Sequence, residues 1–153
     1  MSSSQVINQS VHTLLVPTTA ESLLIPSAVV AEVVTVSNLI PLPAGPDWCS
    51  GLITWRSRAL PVISIEVLTG RPYAPPGPRS KLVVFFPLPG CHESQFFAIQ
   101  SLTEPQPNNI SDTKGMVVKT PSLPIAASAL NLDGVIGIIP DLVWLKETLY
   151  PAS

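Results

Sequence analysis

Cys91, His92 and Glu93 form one run. A thiol, an imidazole and a carboxylate are the parts of a nucleophile, its base and an orienting group. Their adjacency works against that use. Successive side chains on an extended chain point to opposite sides, so Cys91 and His92 make a poor dyad. The stretch from Pro87 to Ser94 reads better as a hairpin loop between two apolar strands. Zinc needs four closely spaced ligands, and only Cys49, Cys91 and His92 are on offer. Two cysteines are too few for a disulfide scaffold and read as free thiols. His12 opens a strand and reads as a surface residue. Glu32, Asp47, Glu66 and Glu104 are scattered, and none stands beside a second carboxylate for acid–base work. No Gly-x-Ser-x-Gly elbow and no glycine-rich phosphate loop occurs. The expectation is a chain with no catalytic residue, no metal and no cofactor.

The basic residues carry more. Arg56, Arg58, Arg71, Arg79 and Lys81 are five of the 8 Lys plus Arg, all in one segment. Arg56 and Arg58 flank Ser57 at a turn between two apolar runs. At i and i+2 they share a side wherever the chain stays extended. They are either solvated turn residues or a fork of guanidinium donors for an acidic partner side chain. Trp48 and Trp55 are nearby. Each is a core residue or a flat anchor of the kind that dominates protein interfaces.

The elements that must position these residues are short. Apolar runs recur and close on proline at Leu14–Pro17, Leu23–Pro26, Val84–Pro87 and Gly137–Pro140. Runs this short, rich in β-branched and aromatic residues, read as strands. A proline cannot continue the ladder, so it ends a strand or marks an edge. Further strands are expected at Gly51–Trp55, Leu60–Val67, Lys81–Phe86, Gln95–Gln100, Met116–Lys119 and Asn131–Ile139. Ser27–Val34 has apolar spacing for a turn or two of helix. Pro140-Asp141 suits a helix start, and Leu142, Leu145 and Leu149 then share one face. Residues 1–10 read as a loose polar tail. A Pro-rich loop at 70–80 divides the body, 11–150, into a first β-subdomain over 11–70 and a second over 80–140, with the helix at 140–149. The loop Thr103–Lys114 reads as irregular.

Composition sets the outer bounds. Of 153 residues, 46% are apolar and 12% charged, against the ~25% charged of an average soluble domain. The 18 prolines, where about eight are expected, exclude a long helical bundle. A near-neutral apolar chain is not a disordered one. Ten acids against 8 bases exclude a nucleic-acid binder. Charge-free stretches such as Val33–Pro46 and Thr120–Leu132 are broken by proline and too short to span a bilayer, so no membrane insertion is expected. The first residues carry no basic segment of a secretory signal, which leads to a cytoplasmic expectation. With so few charges, much of the surface is apolar or weakly polar, as partner-binding patches are.

The run from Trp48 to Ile65, WCSGLITWRSRALPVISI, resembles the signature of the CheW family of chemotaxis coupling adaptors. That signature is a glycine and apolar strand, an Asn-Leu-Arg-Gly turn, and an Ile-Pro-Val-x-Asp-Leu strand. Leu24-Ile25 with Val30–Val33, Phe97–Leu102 and Leu132–Ile139 are similar to further family strands in the same order, over roughly Val11 to Leu149. Trp55, Ser57, Ser64 and Gln100 replace the family's Leu, Gly and two Asp, which marks a divergent member. Within the family it most resembles the ChpC type of pilus-associated, twitching-motility systems. The resemblance implies a mostly β fold, two packed five-stranded SH3-like β-barrels with a short C-terminal helix. It implies a non-catalytic adaptor that couples the cytoplasmic tip of a methyl-accepting chemoreceptor to the regulatory domain of a CheA-type histidine kinase, recruited to receptor arrays at the inner membrane. Val30, Glu32, Gly51 and Arg56 match family positions of receptor or kinase contact. Trp55 and Arg58 join them as candidate partner-binding residues. Gly51 would permit a close backbone approach. A different reading is a generic SH3-like barrel that binds a peptide over Trp48, Trp55 and Tyr73.

Overall fold

The computed structural model describes residues 11–19, 21–110 and 117–151; the expected tail at 1–10 lies outside them. Among the described residues, ten strands make two five-stranded sheets. The first contains β1 (Val11–Val16), β2 (Ser22–Pro26), β8 (Gln106–Ile110), β9 (Ala126–Leu132) and β10 (Val135–Pro140), in the order β8-β1-β2-β10-β9. The second contains β3 (Val30–Thr35), β4 (Cys49–Trp55), β5 (Arg58–Ile63), β6 (Lys81–Phe85) and β7 (Phe97–Ser101), in the order β3-β6-β7-β5-β4. Each sheet is antiparallel except for one parallel pair, β2 with β10 and β5 with β7. The two sheets therefore repeat one plan.

Neither set of ladders joins its two end strands, yet side chains close each sheet. In the second, Ile53 and Trp55 of β4 share an apolar cluster with Ala31 and Val34 of β3, although these are the sheet's opposite edges. In the first, Ile110 of β8 meets Leu130 of β9 over Leu24. The SH3-like shape comes from this curling of a twisted sheet over its own interior. Between the sheets lies the main core, where Val16, Leu23, Ile25 and Ile138 meet Ile63, Val83, Phe85, Phe97 and Ile99. The helix α2 (Leu142–Leu149) caps it with Leu145 and Leu149. Asp141 accepts from the N–H groups of Val143 and Trp144, both at 3.0 Å, and so starts that helix.

Several sequence expectations change here. Residues 11–70 and 80–140 are not the two sheets, because each sheet takes strands from both sides of the 70–80 loop. Ser27–Val29 is one 3-10 turn, and Val30 onward is strand. The run expected as strand over Leu60–Val67 ends at Ile63. One helical turn, α1 (Ile65–Leu68), follows it, capped by Ser64, whose Oγ accepts from Val67 N–H. Asn131–Ile139 is two strands joined at Asp133-Gly134. The Thr103–Lys114 loop holds β8, an edge strand. Met116 lies outside the described residues, and Val117 makes only an isolated bridge to Leu130.

Candidate functional site

The β4–β5 hairpin turns on two residues. Trp55 and Arg58 are the last pair of its ladder, leaving Arg56 and Ser57 as the central residues. Both are left-handed, with φ of 49° and 63°. Two central residues at positive φ make the turn that matches strand twist, usually filled by Asn-Gly. Arg56 and Arg58 are therefore not on an extended chain, as their spacing allowed: Arg56 lies in a tight reversal and Arg58 just past it.

The reversal stacks them on aromatic faces. The Arg56 guanidinium lies 4.6 Å from the centre of the Trp55 ring, and that of Arg58 lies 4.6 Å from the centre of the Phe96 ring. The two rings are 5.3 Å apart, tilted by 45°. Trp55 is 7% exposed, packed among Ile53, Leu60, Val62 and Leu82. Of the two readings open to it, core residue or flat anchor, the burial is that of the first: its ring is floor, with Arg56 and Phe96 against it. Trp48 packs against the other, main core, so the two tryptophans do not form one groove.

Glu32 completes the group. Its Oε1 accepts from Trp55 Nε1–H at 2.9 Å and from Arg56 Nη2 at 3.1 Å. The ion pair itself is exposed, with 66% of the Arg56 side chain and 42% of the Glu32 side chain accessible. Such a pair contributes only about 0–1 kcal/mol. The indole bond, made to a charged acceptor from a buried ring, is the stronger term at about 1.5–3 kcal/mol. The geometry of Glu32 is thus set by Trp55, and the carboxylate in turn orients Arg56.

The other two candidates sit elsewhere. Val30 begins β3, opposite Phe85, and its side chain packs on the main core. A bulge separates it from Glu32. Gly51 is buried. A Cβ there would lie 2.4 Å from the carbonyl oxygen of Ile40, and its φ is +150°. Ile40 exchanges two backbone hydrogen bonds of 2.8 Å with Leu52 and so covers the middle of the β4 edge. Gly51 permits that close approach and does not itself reach the surface with Glu32 and Arg56.

Phe86 and Phe96 were not singled out from the sequence. Phe96 bridges Trp55 and Phe86, the latter 6.0 Å away and 46% exposed. A signal existed. The doublets Phe85-Phe86 and Phe96-Phe97 must each send one ring to either side of an extended chain. Phe85 and Phe97 stack in the core at 4.7 Å, which leaves Phe86 and Phe96 on the outer side.

The Cys91-His92 run gains no chemistry from the fold. His92 Nδ1 accepts from Ser94 N–H at 3.1 Å in an exposed loop, while Cys91 packs against the main core. His12 pairs across the ladder with Asn109 Oδ1 at 2.7 Å. Burial and the nearby Cys91 push the Tyr150 hydroxyl up to about 12. Among the described residues no three His, Cys, Asp or Glu side chains share a metal-sized cluster, and no helix is long and apolar enough to cross a membrane.

The β4–β5 hairpin tip thus carries Arg56 and Arg58 beside the Glu32 carboxylate of β3, on a scaffold of two like sheets. The sequence profile of the CheW-like domain family matches residues 12–143. The chain belongs to that family, whose members are chemotaxis scaffolds. The solved structure of the scaffolding protein TtCheW from Thermoanaerobacter tengcongensis is similar with a TM-score of 0.69 at 16% identity, covering 87% of this chain and 90% of that one. No curated protein matches the chain in sequence.

Proposed function

We propose that this protein is a non-catalytic adaptor that couples the cytoplasmic tip of a chemoreceptor to the regulatory domain of a CheA-type histidine kinase. It acts in the cytoplasm at receptor arrays, in a chemosensory system of the ChpC type that governs pilus-driven twitching. The observation that carries this reading is the Glu32–Trp55–Arg56 cluster. Two of the residues that match the family's contact positions, far apart in sequence, meet there in one rigid and exposed arrangement. Their mechanism needs no turnover. A scaffold that holds receptor and kinase in fixed relation lets a shift in one bias the other. Val30 and Gly51 support the arrangement from below: the first packs β3 onto the main core, and the second lets the Leu39-Ile40 segment close the β4 edge.

The test is binding of the kinase regulatory domain and of a receptor-tip fragment from the same genome, measured by calorimetry. Arg56→Glu sets two carboxylates against each other, and it is expected to weaken at least one complex about tenfold or more while the far-ultraviolet spectrum stays that of the wild type. Wild-type affinity of the variant for both partners removes the cluster from the interface. Absence of binding by the wild-type chain itself ends the adaptor reading. Substitution of Gly51 is not a clean probe, because any side chain there runs into the Ile40 backbone.

A further inference from the structure

The 70–80 loop has no part in the Glu32–Trp55–Arg56 cluster. Its centre reads Arg71-Pro-Tyr-Ala-Pro-Pro-Gly-Pro-Arg79. From Arg71 to Gly77 it forms neither helix, strand nor turn, and no residue there has a positive φ. Pro72, Pro75, Pro76 and Pro78 have φ fixed by their rings. A residue that precedes proline is pushed to extended conformations, which covers Arg71, Ala74, Pro75 and Gly77. Local sterics thus favour a polyproline II path, with about three residues per turn. That period sorts the loop into three edges. One is tied to the body. Arg71 N–H donates to Glu66 O at 2.8 Å, Ala74 O accepts from the buried Gln100 Nε2 at 2.8 Å, and Gly77 N–H donates to the Oγ of buried Ser80 at 2.9 Å. The next edge, Pro72, Pro75 and Pro78, is the one whose members are all exposed. The ties hold backbone atoms and leave these three rings in solvent. Gln100 is also a position where this chain departs from the family's Asp, and an ionised Asp has no proton to donate to Ala74.

The charge of the loop is local. The protein as a whole carries -2, yet between residues 70 and 80 there are arginines and no acid. Arg71 is engaged with Glu21 at 3.1 Å, whereas Arg79 has no ion pair among the described residues. An exposed proline edge that ends in a free guanidinium matches a groove lined by aromatic rings and flanked by carboxylates. We propose that the 71–79 loop is a polyproline ligand displayed to a separate partner domain of the SH3 kind. Pro72, Pro75 and Pro78 lie along the groove of that domain, and Arg79 pairs with a carboxylate at its rim. A free peptide has to be ordered before it binds, and here the ties at Arg71, Ala74 and Gly77 supply that order in advance. The loop shares no residue with the Glu32–Trp55–Arg56 cluster, so this inference and the adaptor reading stand or fall separately.

The experiment uses the full chain, isotopically labelled, titrated with SH3 domains and followed by amide resonances. The domains have acidic rims and between them read ligands in both chain directions. Prolines have no amide, so the reporters are Arg71, Tyr73, Ala74, Gly77 and Arg79. With at least one domain these are expected to shift and saturate while the amides of residues 55–58 stay in place. Pro75→Ala is expected to bind that domain about tenfold more weakly, whereas Pro76→Ala, off the exposed edge, changes the affinity less than about threefold. Arg79→Glu should also lose about tenfold, and a domain with its rim acids changed to lysine should prefer Arg79→Glu over wild type. Amides outside the loop report that each variant remains folded. The proposal is overturned if no domain moves the loop amides, if Pro75→Ala or Arg79→Glu binds like wild type, or if Pro76→Ala loses as much as Pro75→Ala. No kinase or receptor fragment is present, so none of these results bears on the adaptor role.

Discussion

Ser57 occupies a left-handed position, φ 63°, with no glycine's freedom to do so. That conformation costs an L-residue roughly 1–2 kcal/mol, and part of the relief glycine brings is lost to its greater unfolded-state entropy. Ser57→Gly is therefore expected to raise stability by about 0.5–1 kcal/mol, read as a higher urea midpoint at unchanged slope. An unchanged or lower midpoint means that the turn is not strained. Tyr150 gives a residue-scale prediction of a different kind. Its hydroxyl is raised to about 12, chiefly by burial and then by Cys91, from the ordinary 10.0. A raised value means that the fold favours the neutral phenol. The stabilisation is complete below pH 10 and disappears as the pH climbs from there toward 12. Half-exposure and solvent screening hold the loss to about 1 kcal/mol. Urea midpoints across that window should fall less steeply for Tyr150→Phe than for wild type, and equal slopes refute the assignment.

At the scale of elements, the prolines were the most informative residues. Leu14–Pro17, Leu23–Pro26 and Gly137–Pro140 each end a strand where the sequence places the break, although Pro61 and Pro107 stand inside β5 and β8. Alternation and apolar content were weaker guides. β8, Gln106–Ile110, is nearly all polar, and it is a strand because its backbone completes the edge beside β1. Nothing in its side chains says so. α1 was hidden for the opposite reason: Ile65 to Leu68 continues the apolar run of β5, and a run this short reads equally well as strand or buried helix. The site was half legible. Arg56 and Glu32 followed from matching motifs, but the Trp55 bond that joins them is tertiary and has no sequence signal. α1 also carries Glu66, 3% exposed, which no motif marked. Its carboxylate accepts from Thr19 N–H at 2.9 Å, Thr19 Oγ1 at 3.0 Å and Ser64 Oγ at 3.2 Å. It thereby ties the β1–β2 loop of one sheet to the helix that follows the other. Glu66→Ala leaves the buried Ser64 hydroxyl without this acceptor and unties the Thr19 loop, and it is expected to cost about 1–3 kcal/mol. Chemical denaturation measures this directly, and a loss below a few tenths means that water replaces the carboxylate.

The whole molecule is interleaved. β1 to β5 precede the 70–80 loop and β6 to β10 follow it, yet β6 and β7 lie between β3 and β5 in one sheet, and β1 and β2 lie between β8 and β10 in the other. The main core draws on both sheets and on α2, so no half of the chain encloses an interior of its own. The loop is pinned as well: Gln100 Nε2 donates to Ala74 O at 2.8 Å, and Arg71 pairs with Glu21 at 3.1 Å. Cutting the chain within 70–80 therefore separates strands that depend on each other, and does not release two small barrels. Fragments on either side of the cut should each be unfolded alone, without the dispersed amide resonances of a packed core. Mixed in equal amounts they should recover the native spectrum, because the connection broken is one surface loop. The intact chain should melt in one transition with calorimetric and van't Hoff enthalpies in agreement. Two transitions, or a folded fragment on its own, would show instead that each sheet closes over enough apolar surface to stand by itself.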